Sequence, residues 1–179
     1  MRRTLQAAVA ITVGLVVTAS AAATPERPRK PSTFSGSCEF SGIVRFDPPL
    51  TATPQEVTSR AVAEGPCTGT WRHGNKVFQL DGDHVRYRAR GAATQGCDSA
   101  EATGEGFLKY RRKKLRFAFA ESRLLTTAEV RLSGAAGGAF AGEANASGDP
   151  LAAVQACFGP GLTESEITLS GATSPEISG

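Results

Sequence analysis

The amino-acid sequence predicts an all-β fold: an antiparallel β-barrel, or a closely related β-sandwich, of eight to ten strands with one short helix near Cys157. Short runs in which apolar and polar residues alternate recur along the chain, and such alternation is typical of half-buried strands. Turn signals separate these runs at nearly regular intervals. The 20 glycines and 10 prolines also favour a turn-rich β-protein over a helical one.

The first strand is predicted at residues 38–46, where Cys38, Phe40 and Phe46 fall on one face. The prolines at 48 and 49 are expected to end it, because proline cannot donate to a β-ladder. Further strands are predicted at residues 56–63, 67–72, 76–80, 84–92, 104–109, 115–121, 128–132, 139–144 and 166–169. Hairpin-like breaks are predicted at residues 73–75, 81–83 and 134–138.

One segment carries helix signals instead. Asp149 is a capping residue, Pro150 suits the first helical position, and the Gly-Pro-Gly sequence at 159–161 is a stop signal. The sequence therefore predicts a short helix that is tied to the β-structure through Cys157. Its alanine-rich face is expected to pack over a sheet or across a barrel mouth.

The N-terminal residues are typical of a secretory signal peptide. Arg2 and Arg3 precede an apolar run at residues 5–17, and small residues follow at 19–23. The run is shorter than the ~20 apolar residues that a transmembrane helix needs. The predicted organisation is a signal peptide (1–23), a flexible proline- and charge-rich leader (24–37), a β-domain (38–171) and a C-terminal tail (172–179). A secreted, extracellular location follows, with cell-wall association as a further expectation.

The four cysteines, Cys38, Cys67, Cys97 and Cys157, favour two disulfides in a secreted chain. They can pair in three ways, of which Cys38–Cys67 with Cys97–Cys157 is the most economical. A zinc site is the competing interpretation. The spacing opposes it, because no two cysteines are close enough for a Cys-x-x-Cys knuckle.

Charge and motifs exclude several functions. Removing Arg2 and Arg3 with the signal peptide lowers the net charge from +3 to +1, far from the strongly basic balance of a dedicated nucleic-acid binder. The sequence holds no Gly-x-Ser-x-Gly elbow, no His-Glu-x-x-His motif and no phosphate-binding glycine loop. It therefore predicts no cofactor and no metal site.

The order of several short motifs resembles a type of secreted actinobacterial protein of unknown function. These motifs are Cys38, the Pro-Pro-Leu-Thr segment at 48–51, Cys67 before a glycine-containing strand, a Phe-Ala-Gly element at 140–142, and Cys157 before the last strand. The resemblance implies an exported, disulfide-linked β-domain and carries over no activity or site residue. The chain departs from the pattern at residues 110–115, where such proteins tend to have a Trp-x-Asn-Gly hairpin.

The strongest local charge feature is a cluster of cations around Tyr110. On a hairpin tip it would suit an anionic envelope polymer, an acidic lipid surface or released nucleic acid, and Tyr110 would stack on a base or sugar ring. The alternative is a solvated turn that blunts a sheet edge. The candidate contact residues are Lys109, Arg111, Arg112, Lys113, Lys114 and Arg116.

Weaker candidates surround the histidines and Trp71. His84 beside Asp81 and Asp83 allows a general base or a weak calcium loop, but its strand face is predicted to be solvated. His73 is expected to be a turn residue. Trp71 is expected in the core or at a barrel end, with a ligand platform as the alternative.

Taken together, the sequence favours an exported, non-enzymatic binding or envelope-associated module. Its expected partner is a small apolar ligand in the barrel or an anionic envelope polymer at the basic hairpin. The alternative is a secreted hydrolase with a carboxylate pair in a cleft. The candidate carboxylates are those of Asp98, Glu101, Glu121 and Glu129.

Overall fold

The computed structural model describes residues 31–179, so the predicted signal peptide and the first half of the predicted leader lie outside the described residues. The chain forms eight long strands, one short strand at its end, and a single helix between the seventh and eighth strands. The elements are β1 (Ser32–Leu50), β2 (Gln55–His73), β3 (Lys76–Gln95), β4 (Ser99–Tyr110), β5 (Lys113–Leu124), β6 (Thr127–Gly134), β7 (Ala139–Ala146), α1 (Pro150–Phe158), β8 (Leu162–Thr173) and β9 (Ile177–Ser178).

The eight long strands form a closed antiparallel barrel. Each strand pairs with the next along the chain, and β1 pairs with both β2 and β8, which closes the sheet. Closure satisfies every strand edge, as in up-and-down barrels. The predicted all-β fold with one short helix near Cys157 is therefore confirmed, in its barrel form.

The strands are longer and fewer than the alternation predicts. The predicted runs at 56–63 and 67–72 belong to one strand, β2, and those at 76–80 and 84–92 to one strand, β3. The hairpin predicted at 81–83 is wrong. Cys67 faces Asp83 and Thr68 faces Asp81, so Gly82 is the extra residue of a β-bulge, and its φ of +75° suits glycine.

The folded β-structure extends beyond both predicted ends of the β-domain. Strand β1 begins at Ser32, inside the predicted leader, and buries Phe34. Beyond Gly171, Ile177 is fully buried and pairs with Phe34. The last residues also exchange backbone hydrogen bonds with Ser32 in both directions. The predicted leader and tail thus supply strands that cover one end of the barrel.

The barrel has two ends of different character. The closed end holds the hairpins that follow β2, β4 and β6 together with β9. Its interior is packed with large side chains, among them Phe34, Trp71 and Phe140, and the ring centroids of Phe34 and Trp71 are 6.0 Å apart. The open end holds the other four connections, including α1 between β7 and β8.

Both disulfides form with the pairing that the sequence favours. Cys38–Cys67 links facing residues of β1 and β2. Cys97–Cys157 links the β3–β4 connection to α1 at the open end. In helix α1, Asp149 caps the first turn by accepting a 2.9 Å hydrogen bond from the backbone N–H of Leu151. In the described part of the chain, no helix has the length and apolar character that crossing a bilayer requires.

Candidate functional site

The open half of the barrel encloses a cavity of about 520 Å³. An eight-stranded barrel is just wide enough for side chains to fill it or for one small ligand to enter. Here the inward positions near the open end carry small residues, among them Ser59, Ala61, Ala128, Ala144 and Ser165. Because these side chains leave the interior unfilled, the cavity follows directly from residue size.

Tyr87 forms the floor of the cavity. It lines the cavity on one side and packs against the closed-end core on the other, with its ring centroid 5.6 Å from those of Phe40 and Phe117. Burial and the nearby carboxylate of Glu121 raise the pKa of Tyr87, so its phenol stays neutral. Below this floor the barrel is packed, so the cavity ends at Tyr87.

Helix α1 and the β5–β6 connection form an apolar mouth. Val154 and Phe158 of α1 line the cavity and are also 54% and 78% exposed. Leu125 lines it from the β5–β6 connection and is likewise exposed. Exposed apolar side chains that continue into an apolar cavity are typical of ligand entrances and interaction sites.

The charged groups of the cavity come from one side of the barrel. Glu121 and Arg123 are inward residues of β5, and Asp98 lies in the β3–β4 connection. Burial raises the pKa of Glu121, and Arg123 partly opposes this rise. Burial lowers the pKa of Arg123, while Glu121 and Asp98 act in the opposite direction. One guanidinium therefore attracts both carboxylates.

Arg123 has a structural role in this group. Its Nη2 donates a 2.7 Å hydrogen bond to the carbonyl of Gly96, and its Nη1 donates a 2.9 Å hydrogen bond to that of Cys97. These bonds hold the β3–β4 connection against β5, next to the disulfide of Cys97. The guanidinium is thus partly occupied by backbone carbonyls.

The four candidate carboxylates lie on two sides of the barrel wall. Asp98 and Glu121 line the cavity. Glu101 and Glu129 are exposed on the outer wall, where Glu101 accepts a 2.6 Å hydrogen bond from Ser122. A carboxylate pair in the cavity is therefore limited to Asp98 and Glu121.

The cationic cluster around Tyr110 forms the β4–β5 hairpin of the closed end. Lys113 Nζ lies 4.5 Å from the ring centroid of Phe78, and Lys114 Nζ lies 4.5 Å from that of Phe107. Arg111, with a φ of 54°, lies over the rings of Phe78 and Tyr110. The remaining cations of the cluster, Lys109, Arg112 and Arg116, lie beside them on the tip and the outer wall.

The outer wall extends this charge beyond the hairpin. On the outer wall, three rows of residues that face one another across strands β1–β5 are rich in cations, and we call these cations the basic wall. These residues are Arg45, Arg60 and Arg90 in one row, Arg88 and Arg116 in the next, and Arg86, Lys109 and Lys114 in the third. Glu164 pairs with Arg45 at 3.2 Å and Glu64 with Arg86 at 3.5 Å.

Tyr110 and Trp71 face the core. Tyr110 is buried, and its hydroxyl donates a 3.1 Å hydrogen bond to Asp83, so the expected ring-stacking role of Tyr110 is wrong. Trp71 is completely buried at the closed end, away from the cavity. It packs against Phe34 and Tyr110, and this position matches the expectation of a core residue at a barrel end.

The histidine candidates lie on the surface of the barrel. His84 is exposed beside the Gly82 bulge, where Asp83 accepts hydrogen bonds from Tyr110 and from the backbone N–H of Asp81. His73 shares a 2.9 Å hydrogen bond with Ser32 at the end of β1. Within residues 31–179, no group of three or more His, Cys, Asp or Glu residues could hold a metal ion.

Sequence reasoning missed most of the cavity lining, including the polar residues Tyr87, Gln95 and Arg123. A signal was present, because inward residues alternate along each strand. The inward positions of β5 continue beyond Phe119 at every second residue, to Glu121 and Arg123, and those of β3 continue to Gln95.

The chain matches no protein-family model, no curated protein and no solved structure.

Proposed function

We propose that this protein is an exported binding protein that holds one small apolar ligand in the open half of its barrel. The cavity of about 520 Å³ carries this proposal, because it is largely apolar and its volume lies within the range of small-molecule sites. Transfer of a ligand's apolar surface from water to this apolar lining is favourable and would drive binding. The two disulfides are compatible with a secreted protein.

A neutral fluorescent probe tests the proposal. N-phenyl-1-naphthylamine brightens in apolar surroundings, and we expect saturable binding at one probe per chain. Ala61→Phe places a ring in the cavity and is expected to abolish binding. Ala118→Phe, on the outer wall of β5, is the matched control and should bind as the wild type does. Equal binding by Ala61→Phe and the wild type would remove the cavity as the site.

A second binding surface is supported by the strand register. The basic wall places cations on neighbouring strands, which lie about 4.8 Å apart, so that they form a grid on one face of the barrel. A flexible anionic polymer, such as an envelope polyphosphate, would contact several of these charges at once. Attachment to the cell envelope would leave the open end free for ligand.

Ion-exchange retention separates the wall from the hairpin tip. On phosphocellulose, the single variants Arg88→Ser and Arg90→Ser should each elute at lower salt than wild type, and an equal shift in Arg112→Ser would extend the binding surface to the hairpin tip. Arg131→Ser is the single-charge control, because Arg131 lies on β6 between two alanines. A wall variant that elutes no earlier than this control would contradict the proposal.

The hydrolase alternative stays a prediction with a single supporting observation, the shared cavity of Asp98 and Glu121. It requires turnover of an ester or glycoside that fits the cavity, with loss in both Asp98→Asn and Glu121→Gln. Stoichiometric binding without turnover would favour the binding protein.

A further inference from the structure

The cavity contains one buried polar group without a partner. Gln95 is the last residue of β3, is only 3% exposed and lines the cavity. Its side-chain Nε2 has no hydrogen-bond partner in the structure. By contrast, Nε2 of the facing residue, Gln55, donates a 2.9 Å hydrogen bond to the carbonyl of Pro49. A buried amide N–H without a partner lowers the stability of the folded protein. A bound molecule with a hydrogen-bond acceptor would therefore supply the partner that Gln95 lacks.

The charged groups near Gln95 limit what that acceptor can be. Asp98, Glu121 and Arg123 line the same cavity and together carry one net negative charge when ionised. Arg123 donates to the carbonyls of Gly96 and Cys97 and is attracted to both carboxylates. A ligand carboxylate would therefore enter a site with excess negative charge and a guanidinium that already has partners.

The rest of the lining is suited to hydrocarbon. Strands β6 and β8 contribute Val130, Ile167 and Leu169, and α1 contributes Ala153 and Val154. Strands β6 and β8 lie across the barrel from the end of β3, and α1 lies at the mouth, where Cys157 is bonded to Cys97. A bound molecule can thus place an apolar body against β6, β8 and α1 while one polar atom reaches Gln95.

We propose that Gln95 donates a hydrogen bond to an uncharged oxygen acceptor of an otherwise apolar ligand, and that the cavity selects esters, ketones or amides over free carboxylates. This inference rests on the proposed ligand-binding function and names its substrate class. Gln95 is the specificity-determining residue, because it supplies the donor, while the apolar wall supplies most of the contact area.

Competition against N-phenyl-1-naphthylamine tests the proposed class of ligand. Methyl decanoate and decanoate have the same ten-carbon acyl chain and differ in whether the polar end is a neutral ester or an anionic carboxylate. We expect methyl decanoate to displace the probe at concentrations at least about tenfold lower than decanoate. This comparison uses the wild-type protein and does not depend on a variant.

Gln95→Met removes the donor at nearly constant volume. It should weaken methyl decanoate binding roughly three- to tenfold, after each competition curve is corrected for the measured probe affinity of that variant. Gln79→Met is the control, since Gln79 lies on the same strand but is exposed and bonded to Thr70. Circular dichroism checks that both variants fold.

The outcomes separate the two proposals. If the wild type binds no probe, the proposed function fails. If the probe binds but decanoate displaces it better than the ester, or Gln95→Met binds the ester as well as wild type does, the selection by Gln95 is overturned. If Gln95→Met does not fold, the wild-type ranking of ester and acid decides alone.

Discussion

Cys157 of α1 is bonded to Cys97 of the β3–β4 connection, with their Cα atoms 6.2 Å apart at the mouth of the barrel. Cys157 is the one residue of α1 that is buried, whereas Val154 and Phe158 are exposed. The helix therefore has little apolar burial of its own to fix its position. The disulfide is the covalent tie that keeps α1 over the cavity.

Loss of this tie should loosen the mouth. The double variant Cys97→Ser and Cys157→Ser opens a loop of 60 residues and is expected to cost about 4 kcal/mol in the free energy of unfolding. It should also release bound probe faster than wild type in stopped-flow dilution, because α1 can move away from the mouth.

The second disulfide provides the control for this prediction. Cys38→Ser with Cys67→Ser opens a loop of 29 residues within the β1–β2 ladder and should cost about 3.5 kcal/mol. Neither residue of the β1–β2 disulfide lines the cavity. Equal release rates from the two double variants would contradict a gating role for α1.

Two alanines on β2 test where the barrel is filled. Ala61 and Ala63 both face inward, but Ala61 lines the cavity whereas Ala63 is buried in the core. Ala61→Phe should change the free energy of unfolding by less than about 1 kcal/mol, because the ring enters empty space. Ala63→Phe should cost roughly 1–3 kcal/mol or more, because it overpacks a filled region. Urea denaturation measures both, and comparable losses would argue against an empty open half.

Glu121 should make stability depend on pH. Its pKa is raised by burial, so the folded protein holds this proton more tightly than the unfolded chain. The stability from this group is complete below its ordinary pKa of 4.5 and is lost as the pH rises through the higher folded value. Tyr87 faces Glu121 but stays neutral, and Arg123 keeps its charge, so neither titrates in this window.

Glu121→Gln should flatten this loss and leave the protein more stable than wild type above the folded pKa. Urea midpoints measured from about pH 4 to pH 8 follow the effect. Glu129→Gln removes the same charge from the outer wall and separates the effect of net charge from that of the cavity. A wild-type profile that rises through this window would show that Arg123 stabilises the carboxylate more than burial destabilises it.

The fold could be predicted from local signals, and the site could not. Alternation identified nearly every strand, and economy of loop closure gave both disulfides. The Asp81–Gly82–Asp83 segment misled because a bulge and a hairpin use the same residues, and only the partner strand distinguishes them. Residues 32–37 and 172–179 misled because their burial depends on each other: Phe34 pairs with Ile177, about 140 residues away.

The cavity depends on closure of the barrel. Ala61, Ala128 and Ala144 lie on three strands, and nothing local shows that they meet at the same level of one interior. The inward direction of Glu121 and Arg123 could be read from β5, but not the loop carbonyls that Arg123 binds. Gln95 becomes informative only once its surroundings show that its amide has no partner.

Native mass spectrometry tests the central claim most directly. The protein is incubated with a neutral lipid extract, passed through a desalting column and sprayed under non-denaturing conditions beside Ala61→Phe. The account predicts a one-to-one adduct on the wild type, with the mass of an uncharged apolar compound, and the bare mass for Ala61→Phe. A bare wild-type mass at saturating lipid, or the same adduct on both proteins, would contradict ligand binding in the barrel.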